Sequence, residues 1–303
     1  MRKWMIDNMP SQDGLAAVVT GTGGLGLEVA QALARAGAEV VLAGRNAQKG
    51  AEAVARIRSN LPMAAIRYEV LDLASLASIA RFADRLRGAG QRVDVLVNNA
   101  GVMVPPKREE TADGFELQFG TNHLGHFALT GHLLPLLRAS GSARVISVSS
   151  VAARSGSTDW TDWNASASYK PMPAYARSKM ACLMFALELE RRSIAGGWGV
   201  RSIAAHPGVA RTELLHNGPG LGSAHSRVRS LLPFLFQPAA QGALPILFAA
   251  ASPDAQAGGY YGPDRLGETR GHPTDAKIPP QALDHAAAER LWTVSENVTG
   301  IRF

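Results

Sequence analysis

The stretch Ala16-Ala-Val-Val-Thr20-Gly21-Thr22-Gly23-Gly24-Leu25-Gly26 decides the fold of this 303-residue chain. Its first five residues form a short apolar run rich in valine, which predicts a buried strand. A Gly-x-Gly-x-x-Gly turn follows, and a helical pattern then runs to about Ala36. Glycines between a strand and a helix let backbone N–H groups approach a pyrophosphate at the positive end of that helix. The stretch therefore predicts a dinucleotide-binding site.

Strand and helix patterns alternate along the rest of the chain. This regular alternation predicts an α/β protein of the Rossmann type, with a doubly wound parallel sheet of about seven strands and helices on both faces. No repeat or linker divides the sequence, so we expect residues 1–303 to form a single dinucleotide-binding domain. The further strands are predicted at 39–43, 65–70, 93–97, 144–150 and 200–205.

The composition places limits on the class of protein. The net charge of +6 is spread along the sequence without blocks of like charge, so an anionic small ligand fits better than a nucleic acid. The single Cys182 excludes an internal disulfide and is expected to be an inert packing residue. Residues 1–8 show no signal-peptide core, and prolines interrupt the apolar stretch at 231–251, which argues against a membrane span. We expect a soluble, cytoplasmic protein.

The end of the second predicted strand bears on the choice of cofactor. An acidic residue there would recognise the ribose of NAD, but the sequence has Gly44-Arg45-Asn46. The Arg45 guanidinium offers a fork for a 2′-phosphate. We therefore predict NADP(H) as the preferred cofactor, with NAD(H) as the alternative. The alternative that Arg45 is an exposed loop arginine without this role stays open.

Tyr175 and Lys179 are spaced four residues apart in a predicted helix. Side chains at this spacing lie on the same side of the helix. A nearby ammonium stabilises a phenolate, which makes the phenol useful for proton transfer near neutral pH. The pair alone is a weak signal, because a surface Tyr/Lys pair would look the same. Its weight depends on the other motifs.

Two asparagine-containing segments stand out. Asn98-Asn99-Ala100-Gly101 follows the fourth predicted strand, where small residues let a ligand lie against the backbone. Asn122 lies beside Gly120 and Gly125 in the middle of a helix predicted over 113–137. An interior asparagine near glycines is unfavourable for a helix. We expect either a local distortion or a buried polar role there.

Together these residues carry a resemblance to the short-chain dehydrogenase/reductase family. The motifs occur in the family's order over roughly residues 14–262, most of the chain, and are jointly specific. The pieces at 169–175, 206–212 and 258–263 resemble the retinol-dehydrogenase-like branch in particular. The matching motifs are Thr20-Gly21…Gly24-Leu25-Gly26, Asp72, Asn98-Asn99-Ala100-Gly101, Asn122, Ser150, Tyr175-x-x-x-Lys179 and Pro207-Gly208…Thr212.

The resemblance implies a catalytic tetrad of Asn122, Ser150, Tyr175 and Lys179. Tyr175 would exchange a proton with a carbonyl or alcohol oxygen, and Ser150 would hydrogen-bond to the same oxygen. Lys179 would hold the ribose of the nicotinamide nucleotide, and Asn122 would anchor a water that leads protons to Lys179. The implied activity is the NADP(H)-dependent interconversion of a carbonyl and an alcohol.

The resemblance also implies which residues contact the cofactor. Asp72 would lie near the adenine, Asn99 to Gly101 along the middle of the cofactor, and Pro207 to Thr212 beside the nicotinamide. The full set is Gly21, Thr22, Gly23, Gly24, Leu25, Gly26, Arg45, Asp72, Leu73, Asn99, Ala100, Gly101, Tyr175, Lys179, Pro207, Gly208, Val209 and Thr212.

The sequence departs from the broad family at two places. Gly21 and Gly24 enclose two residues where the family usually has three, so the phosphate contacts of this turn and its part in the NADP preference stay open. In addition, 24 residues separate Ser150 from Tyr175. We predict that this insert, at 151–173, forms a flap over the site, with a packed surface excursion as the alternative.

The segment at 213–237 is predicted to be a small apolar substrate lid. Its composition predicts a hydrophobic carbonyl or alcohol substrate, such as a lipid, terpenoid or polyketide-like molecule. Residues 231–236 fit the protein core equally well.

Three histidines, His123, His126 and His206, are expected to be structural, because no ligand spacing supports a metal site. An amphipathic helix is predicted at 281–297, with Leu283 and Leu291 among its inward residues. It would pack on the domain or on a partner, which leaves a homo-oligomer open. Two other functions also stay open: reduction of a C=C bond, and an inactive NADP-binding regulatory protein.

Overall fold

The computed structural model describes residues 3–210 and 237–303, and in this part the chain forms one sheet of eight strands. The first seven strands run parallel, and the last is antiparallel to its neighbour. The strands are β1 (Ala16–Thr20), β2 (Glu39–Gly44), β3 (Ile66–Val70), β4 (Val95–Asn98), β5 (Arg144–Val148), β6 (Arg201–Ala205), β7 (Tyr260–Arg265) and β8 (Arg270–Asp275).

Helices connect most of these strands. No helix within 3–210 or 237–303 has both the length and the apolar character needed to cross a membrane. The helices are α1 (Gly24–Arg35), α2 (Ala47–Asn60), α3 (Leu76–Gly88), α4 (Leu117–Phe119), a π-helical segment (Gly120–Leu124), α5 (Gly125–Ser140), α6 (Pro171–Gly196), α7 (Ala239–Ala251) and α8 (His285–Thr299).

The strand order is β3-β2-β1-β4-β5-β6-β7-β8, which confirms the predicted doubly wound sheet. The order reverses between β1 and β4, and ligands of such sheets bind at this point, outside the carboxyl ends of the strands. In the described residues the sheet has eight strands where about seven were predicted, and neither β7 nor β8 was located from the sequence. Because β8 is a polar edge strand with glycine and proline in it, it lacks the apolar pattern by which strands are recognised.

Both faces of the sheet are buried, as the continuous apolar strands indicate. Val19 and Leu42 point to the face covered by α1, α2 and α7. Val18 and Leu96 point to the face covered by α3 and α5. This alternation within β1 holds its carboxyl end, and the glycine turn after it, in a fixed position between the two layers.

The C-terminal helix α8 packs on the domain itself, through Leu291 against α6 and through Trp292 against Phe185. It begins at His285, later than the predicted 281, because Asp284 caps it by accepting a hydrogen bond from the Ala287 amide. The prediction that Leu283 faces inward is wrong: this residue ends the preceding 3₁₀ turn (Pro280–Leu283) and is 56% exposed.

Candidate active site

The glycine turn after β1 brings the start of α1 close to the sheet. Gly21 and Gly24 have φ of +98° and +51°, a region that glycine occupies at little cost. Gly23 is the N-cap residue of α1. A Cβ on Gly26 would lie 2.7 Å from Asn99 Nδ2 and 3.0 Å from the carbonyl carbon of Gly21. The turn therefore folds tightly onto its own helix despite enclosing one residue fewer than the family pattern.

An open cleft runs along the carboxyl ends of β1, β2 and β4, beside this turn. It collects most of the residues predicted to bind a cofactor, together with several that the sequence analysis did not single out. The predicted residues that line it are Gly21, Thr22, Gly23, Gly24, Leu25, Arg45, Asp72, Leu73, Asn99, Ala100 and Gly101; the additional ones include Asn46, Lys49, Ala74, Val102 and Thr121.

Thr20 joins the two backbone segments that form the floor of the cleft. The backbone amides of Asn99 and Ala100 donate to its hydroxyl at 2.9 and 3.0 Å. The Asn99 side chain donates in turn to the Thr20 carbonyl at 2.7 Å. These hydrogen bonds fix the glycine turn against the segment after β4, so the two sides of the cleft keep a constant separation.

The end of the cleft at β2 is cationic. Arg45 is exposed there, and Lys49, in the first turn of α2, lines the same wall. Asp72 is the one acidic residue that lines the described cleft, and its carboxylate accepts a hydrogen bond from the Ala74 amide. Lys49 was not predicted from the sequence, although its position four residues after Arg45 could have pointed to it.

Asn122 lies in the π-helical segment, where the sequence led us to expect a distortion or a buried polar role. Both occur. The residue is 1% exposed, and its amide forms two hydrogen bonds with the Val102 backbone, 2.8 Å from the Val102 amide and 3.0 Å to its carbonyl. The amide also donates to the Ser178 hydroxyl on α6 at 2.9 Å. Asn122 thus connects the segment after β4 with the helix that carries Tyr175.

The backbone carbonyl of Asn122 accepts two more hydrogen bonds, from His126 Nδ1 at 2.9 Å and from Cys182 Sγ at 3.1 Å. His126 Nε2 lies 2.9 Å from the Thr20 hydroxyl, so this ring connects the π-helical segment to β1. Burial lowers the pKa of His126 to about 4, which keeps the imidazole neutral. Burial raises the pKa of the Cys182 thiol, as expected for an inert residue.

Lys179 and Tyr175 lie one turn apart on α6, and both side chains are buried. Lys179 Nζ donates to the Val148 carbonyl at the end of β5, at 3.0 Å. A Cβ built on Gly101 would lie 2.9 Å from Asn122 Oδ1 and 3.6 Å from Lys179 Nζ. The structure therefore brings Gly101, Asn122 and Lys179 together at the cleft, one helical turn from Tyr175.

The two serines after β5 have different surroundings. Ser149 is 2% exposed and donates to the Lys179 carbonyl at 2.7 Å, so its hydroxyl faces α6. The Ser150 side chain is only partly buried and accepts a hydrogen bond from the Ala152 amide at 3.2 Å. Ser150 therefore keeps a hydroxyl proton available for a ligand, whereas Ser149 uses its proton within the protein.

The first half of the insert is packed against the domain. Trp160 donates from its indole nitrogen to the Ala287 carbonyl in α8, at 2.9 Å. Trp163 packs on Phe119, with ring centroids 5.5 Å apart. These contacts favour the packed excursion for this half, and the flap over the site stays a prediction for the remainder.

The turn after β6 is supported by the hairpin of β7 and β8. His206 Nε2 lies 3.0 Å from Glu268, and its Nδ1 accepts a hydrogen bond from the Gly208 amide, so the ring serves a structural contact. The Val209 amide donates to the Thr269 carbonyl at 2.8 Å. Among residues 3–210 and 237–303, no group of histidine, cysteine and acidic side chains could hold a metal ion. Thr212 and positions 213–236 of the predicted lid lie outside the described residues.

Pro207 faces the glycine turn across α7. A Cβ on Gly242 would lie 3.1 Å from the Leu25 side chain and 3.4 Å from the Pro207 carbonyl oxygen. The turn after β6 thus approaches the residues that begin α1. With the glycine turn at the switch point of the sheet and the cleft beside it, these features define a dinucleotide-binding α/β protein.

The chain belongs to the short-chain dehydrogenase family, because the model of that family matches residues 15–219. Polyprenol dehydrogenase of Mus musculus is 42% identical over 299 residues, which cover 96% of this chain and 86% of that protein. Retinol dehydrogenase 13 of Homo sapiens is 40% identical over 295 residues, which cover 95% of this chain and 85% of that protein. The expected likeness to the retinol-dehydrogenase-like branch is confirmed.

Solved structures show the same fold. A crystal structure of an uncharacterized protein from Mycobacterium paratuberculosis is similar at a TM-score of 0.82 and 36% identity, and the match covers 99% of each chain. The Pseudomonas aeruginosa RhlG/NADP active-site complex is similar at a TM-score of 0.66 and 26% identity, covering 82% of this chain and 94% of that chain.

Proposed function

We propose that the protein is an NADP(H)-dependent oxidoreductase that interconverts a carbonyl and a primary or secondary alcohol on a hydrophobic small molecule. The observation that carries this proposal is the meeting of Gly101, Asn122 and Lys179 at the cleft, one helical turn from Tyr175. A buried tyrosine and lysine beside a dinucleotide cleft are the groups that proton transfer to a bound carbonyl needs.

The cleft fits a nicotinamide dinucleotide. The glycine turn packs closely on the start of α1, and the backbone N–H groups at a helix N-terminus are suited to bind a pyrophosphate. Asn99 to Gly101 offer small side chains and backbone along the middle of the cleft. When bound, the cofactor supplies or accepts the hydride; the protein supplies position and protons.

The cationic wall supports a preference for NADP(H). Arg45 can pair with the two oxygens of a 2′-phosphate, and Lys49 adds a second positive charge to the same wall. The sequence after β2 offers no carboxylate to bind a free ribose hydroxyl. A carboxylate at that point would also repel the phosphate.

Tyr175 is assigned the proton transfer: its hydroxyl donates to the carbonyl oxygen during reduction, and the phenolate takes the proton during oxidation. Ser150 donates a hydrogen bond to the same oxygen and stabilises charge that develops on it. Lys179, whose Nζ donates to the Val148 carbonyl one helical turn from Tyr175, would hold the ribose of the nicotinamide nucleotide.

Asn122 is assigned a positioning role. Its amide and its backbone carbonyl together make five hydrogen bonds within the protein, to the Val102 backbone, Ser178, His126 and Cys182. Its side-chain Oδ1 accepts one of these bonds, from the Val102 amide, so its second lone pair can still bind a water. We therefore assign Asn122 to holding the segment after β4 and α6 at a fixed distance, and also to anchoring a water.

The hydrophobic substrate class is supported by the relatives, which include a polyprenol dehydrogenase and several retinol dehydrogenases. These names describe substrates that are long, apolar alcohols. The proposal extends that substrate class to this chain, and with it the apolar lid expected at 213–237.

The cofactor part of the proposal is tested by fluorescence titration of the purified protein with NADPH and with NADH. We expect NADPH to bind at least about tenfold more tightly, because a charge-assisted pair with the 2′-phosphate adds about 1.5–3 kcal/mol. Equal affinity for the two would contradict the NADP preference, and binding of neither would contradict the dinucleotide site.

The reaction is tested by turnover of retinal, citral and decanal with NADPH, followed by mass spectrometry of the products. We expect the corresponding alcohols. A saturated carbonyl from citral would indicate C=C reduction instead, and no turnover with any of the three, despite NADPH binding, would indicate an inactive NADP-binding protein.

A further inference from the structure

The segment after β4 contains a strained residue close to the cleft. Val104 has φ of +55°, and it precedes Pro105. A β-branched side chain at positive φ is a genuine outlier, and a residue before proline ordinarily prefers an extended backbone. Such strain persists only where the surroundings impose it, and it is concentrated at functional sites. Val104 lies two residues beyond Val102, which lines the cleft.

The side chain of Gln118 holds Val104 in this conformation. Gln118 lies in α4 and is 0% exposed. Its Oε1 accepts a hydrogen bond from the Val104 amide at 2.7 Å. Its Nε2 donates to the Tyr169 hydroxyl and to the Pro171 carbonyl, both at 3.1 Å. Every hydrogen-bonding atom of this buried amide is engaged, so its orientation is fixed.

Tyr169 completes this set of hydrogen bonds. Its hydroxyl accepts from Gln118 and donates to the Pro105 carbonyl at 2.9 Å. The Tyr169 hydroxyl therefore links the end of the insert to Pro105, the residue that follows the strained Val104. Burial raises the pKa of Tyr169 to about 12, so the hydroxyl keeps the proton that it donates.

These hydrogen bonds connect the three segments that carry the proposed active site. Val104 lies three residues after Gly101, Gln118 lies four residues before Asn122, and Pro171 lies four residues before Tyr175. A spacing of four residues on α6 puts Pro171 on the same side of the helix as Tyr175. The contacts therefore set the distance between the segment after β4 and α6 on the side of Tyr175 away from Lys179.

We propose that Gln118, Tyr169 and the left-handed Val104 form a clamp that positions the wall of the substrate site beside Tyr175. The clamp joins residues 104 and 105 to the end of the insert, and it acts on substrate binding rather than on the cofactor. This inference rests on the proposed function and deepens it, because it assigns substrate positioning to residues outside the tetrad.

The change Tyr169→Phe removes the hydroxyl that bonds to Gln118 and Pro105 and keeps the aromatic ring. With the aldehyde that the wild type turns over fastest, we expect KM to rise about fivefold to tenfold while kcat stays within about twofold, since uniform substrate binding is lost. The Kd for NADPH should not change. Tyr261→Phe is the matched control, because it also removes one tyrosine hydrogen bond but lies in β7. It should change the melting temperature without moving KM.

A fall in kcat at constant KM, or a parallel rise in the Kd for NADPH, would overturn the clamp. So would unchanged kinetics, since the wall would then be set by other contacts. If the wild type itself turns over no aldehyde, the proposed function fails, and hydrogen–deuterium exchange decides the clamp separately. Tyr169→Phe should speed exchange at both 102–108 and 165–171 by about threefold or more. Faster exchange at 165–171 alone would overturn it.

The strain is tested by a second pair of variants, Val104→Gly and Val104→Ala. Both lose the branched side chain, but only glycine accepts a positive φ without penalty. The glycine variant should therefore melt at a higher temperature than the alanine variant. Equal or reversed melting temperatures would show that the backbone at this position is not held in the left-handed conformation.

Discussion

The change Gly26→Ala tests the tight glycine turn directly. The new Cβ would lie 2.7 Å from Asn99 Nδ2 and 3.0 Å from the carbonyl carbon of Gly21, and closer still to that carbonyl's oxygen. Real Cβ atoms essentially never approach other heavy atoms within 3.0 Å. Because the obstacle is backbone, the turn itself must move.

The structure sets the size of the expected effect. Overpacking of this kind costs about 1–3 kcal/mol. Gly26 lies in the first turn of α1, where the higher helix propensity of alanine over glycine offsets up to about 1 kcal/mol of this cost. The net loss of stability is about 0–3 kcal/mol, or a fall in Tm of up to about 5 °C for a chain of 303 residues. Loss of one hydrogen bond to a charged phosphate costs about 1.5–3 kcal/mol, so we expect NADPH affinity to fall about 10- to 100-fold.

Thermal unfolding and NADPH titration measure the two effects on the same samples. Gly88→Ala is the matched control, since Gly88 ends α3 and a Cβ there would meet no atom within 4 Å. The control should match the wild type in NADPH affinity and lose no stability. If Gly26→Ala bound NADPH as tightly as the control, the turn would not be the cofactor's phosphate site and the reasoning would fail.

Two further predictions concern charge. Arg45→Ala should weaken NADPH binding about tenfold or more and leave NADH binding within about twofold, as titration can show, because only NADPH offers a phosphate to the guanidinium; equal losses for both cofactors would contradict this role. Burial lowers the pKa of His123 to about 3 and of His126 to about 4, so the unfolded chain binds more protons than the folded one below about pH 6.5. Stability should therefore fall by about 1.5 kcal/mol per histidine between about pH 6.5 and pH 5 in urea unfolding. His126→Gln should remove the part of this pH dependence that His126 contributes; an unchanged slope in this variant would contradict the assignment.

The fold could be predicted because its decisive signals are local. The strand at Ala16–Thr20, the glycines after it and the helix that follows are contiguous, so their period and turn chemistry can be recognised without knowledge of distant contacts. The eighth strand was missed for the opposite reason. Its residues pair with β7 at an edge, and their pattern carries no buried face.

The residues of the candidate site also differ in whether the sequence alone could identify them. Asn122 could be singled out because an asparagine between glycines conflicts with a helix, and the π-helical segment resolves that conflict. Gln118 and His126 carried no such signal, because their partners are distant in the sequence: Tyr169 is 51 residues from Gln118, and Thr20 is 106 residues from His126. Polar groups that become important only through such contacts cannot be recognised from a single sequence.

The central claim is that Tyr175 transfers the proton, and single-turnover kinetics of Tyr175→Phe test it most directly. Protein saturated with NADPH is mixed with the best aldehyde of the panel, and the loss of NADPH absorbance is followed. We expect the Kd for NADPH to stay within about threefold of wild type and the rate to fall about 10²- to 10⁴-fold, the usual contribution of a positioned acid. A phenylalanine variant that binds NADPH and reduces the aldehyde at the wild-type rate would contradict the claim.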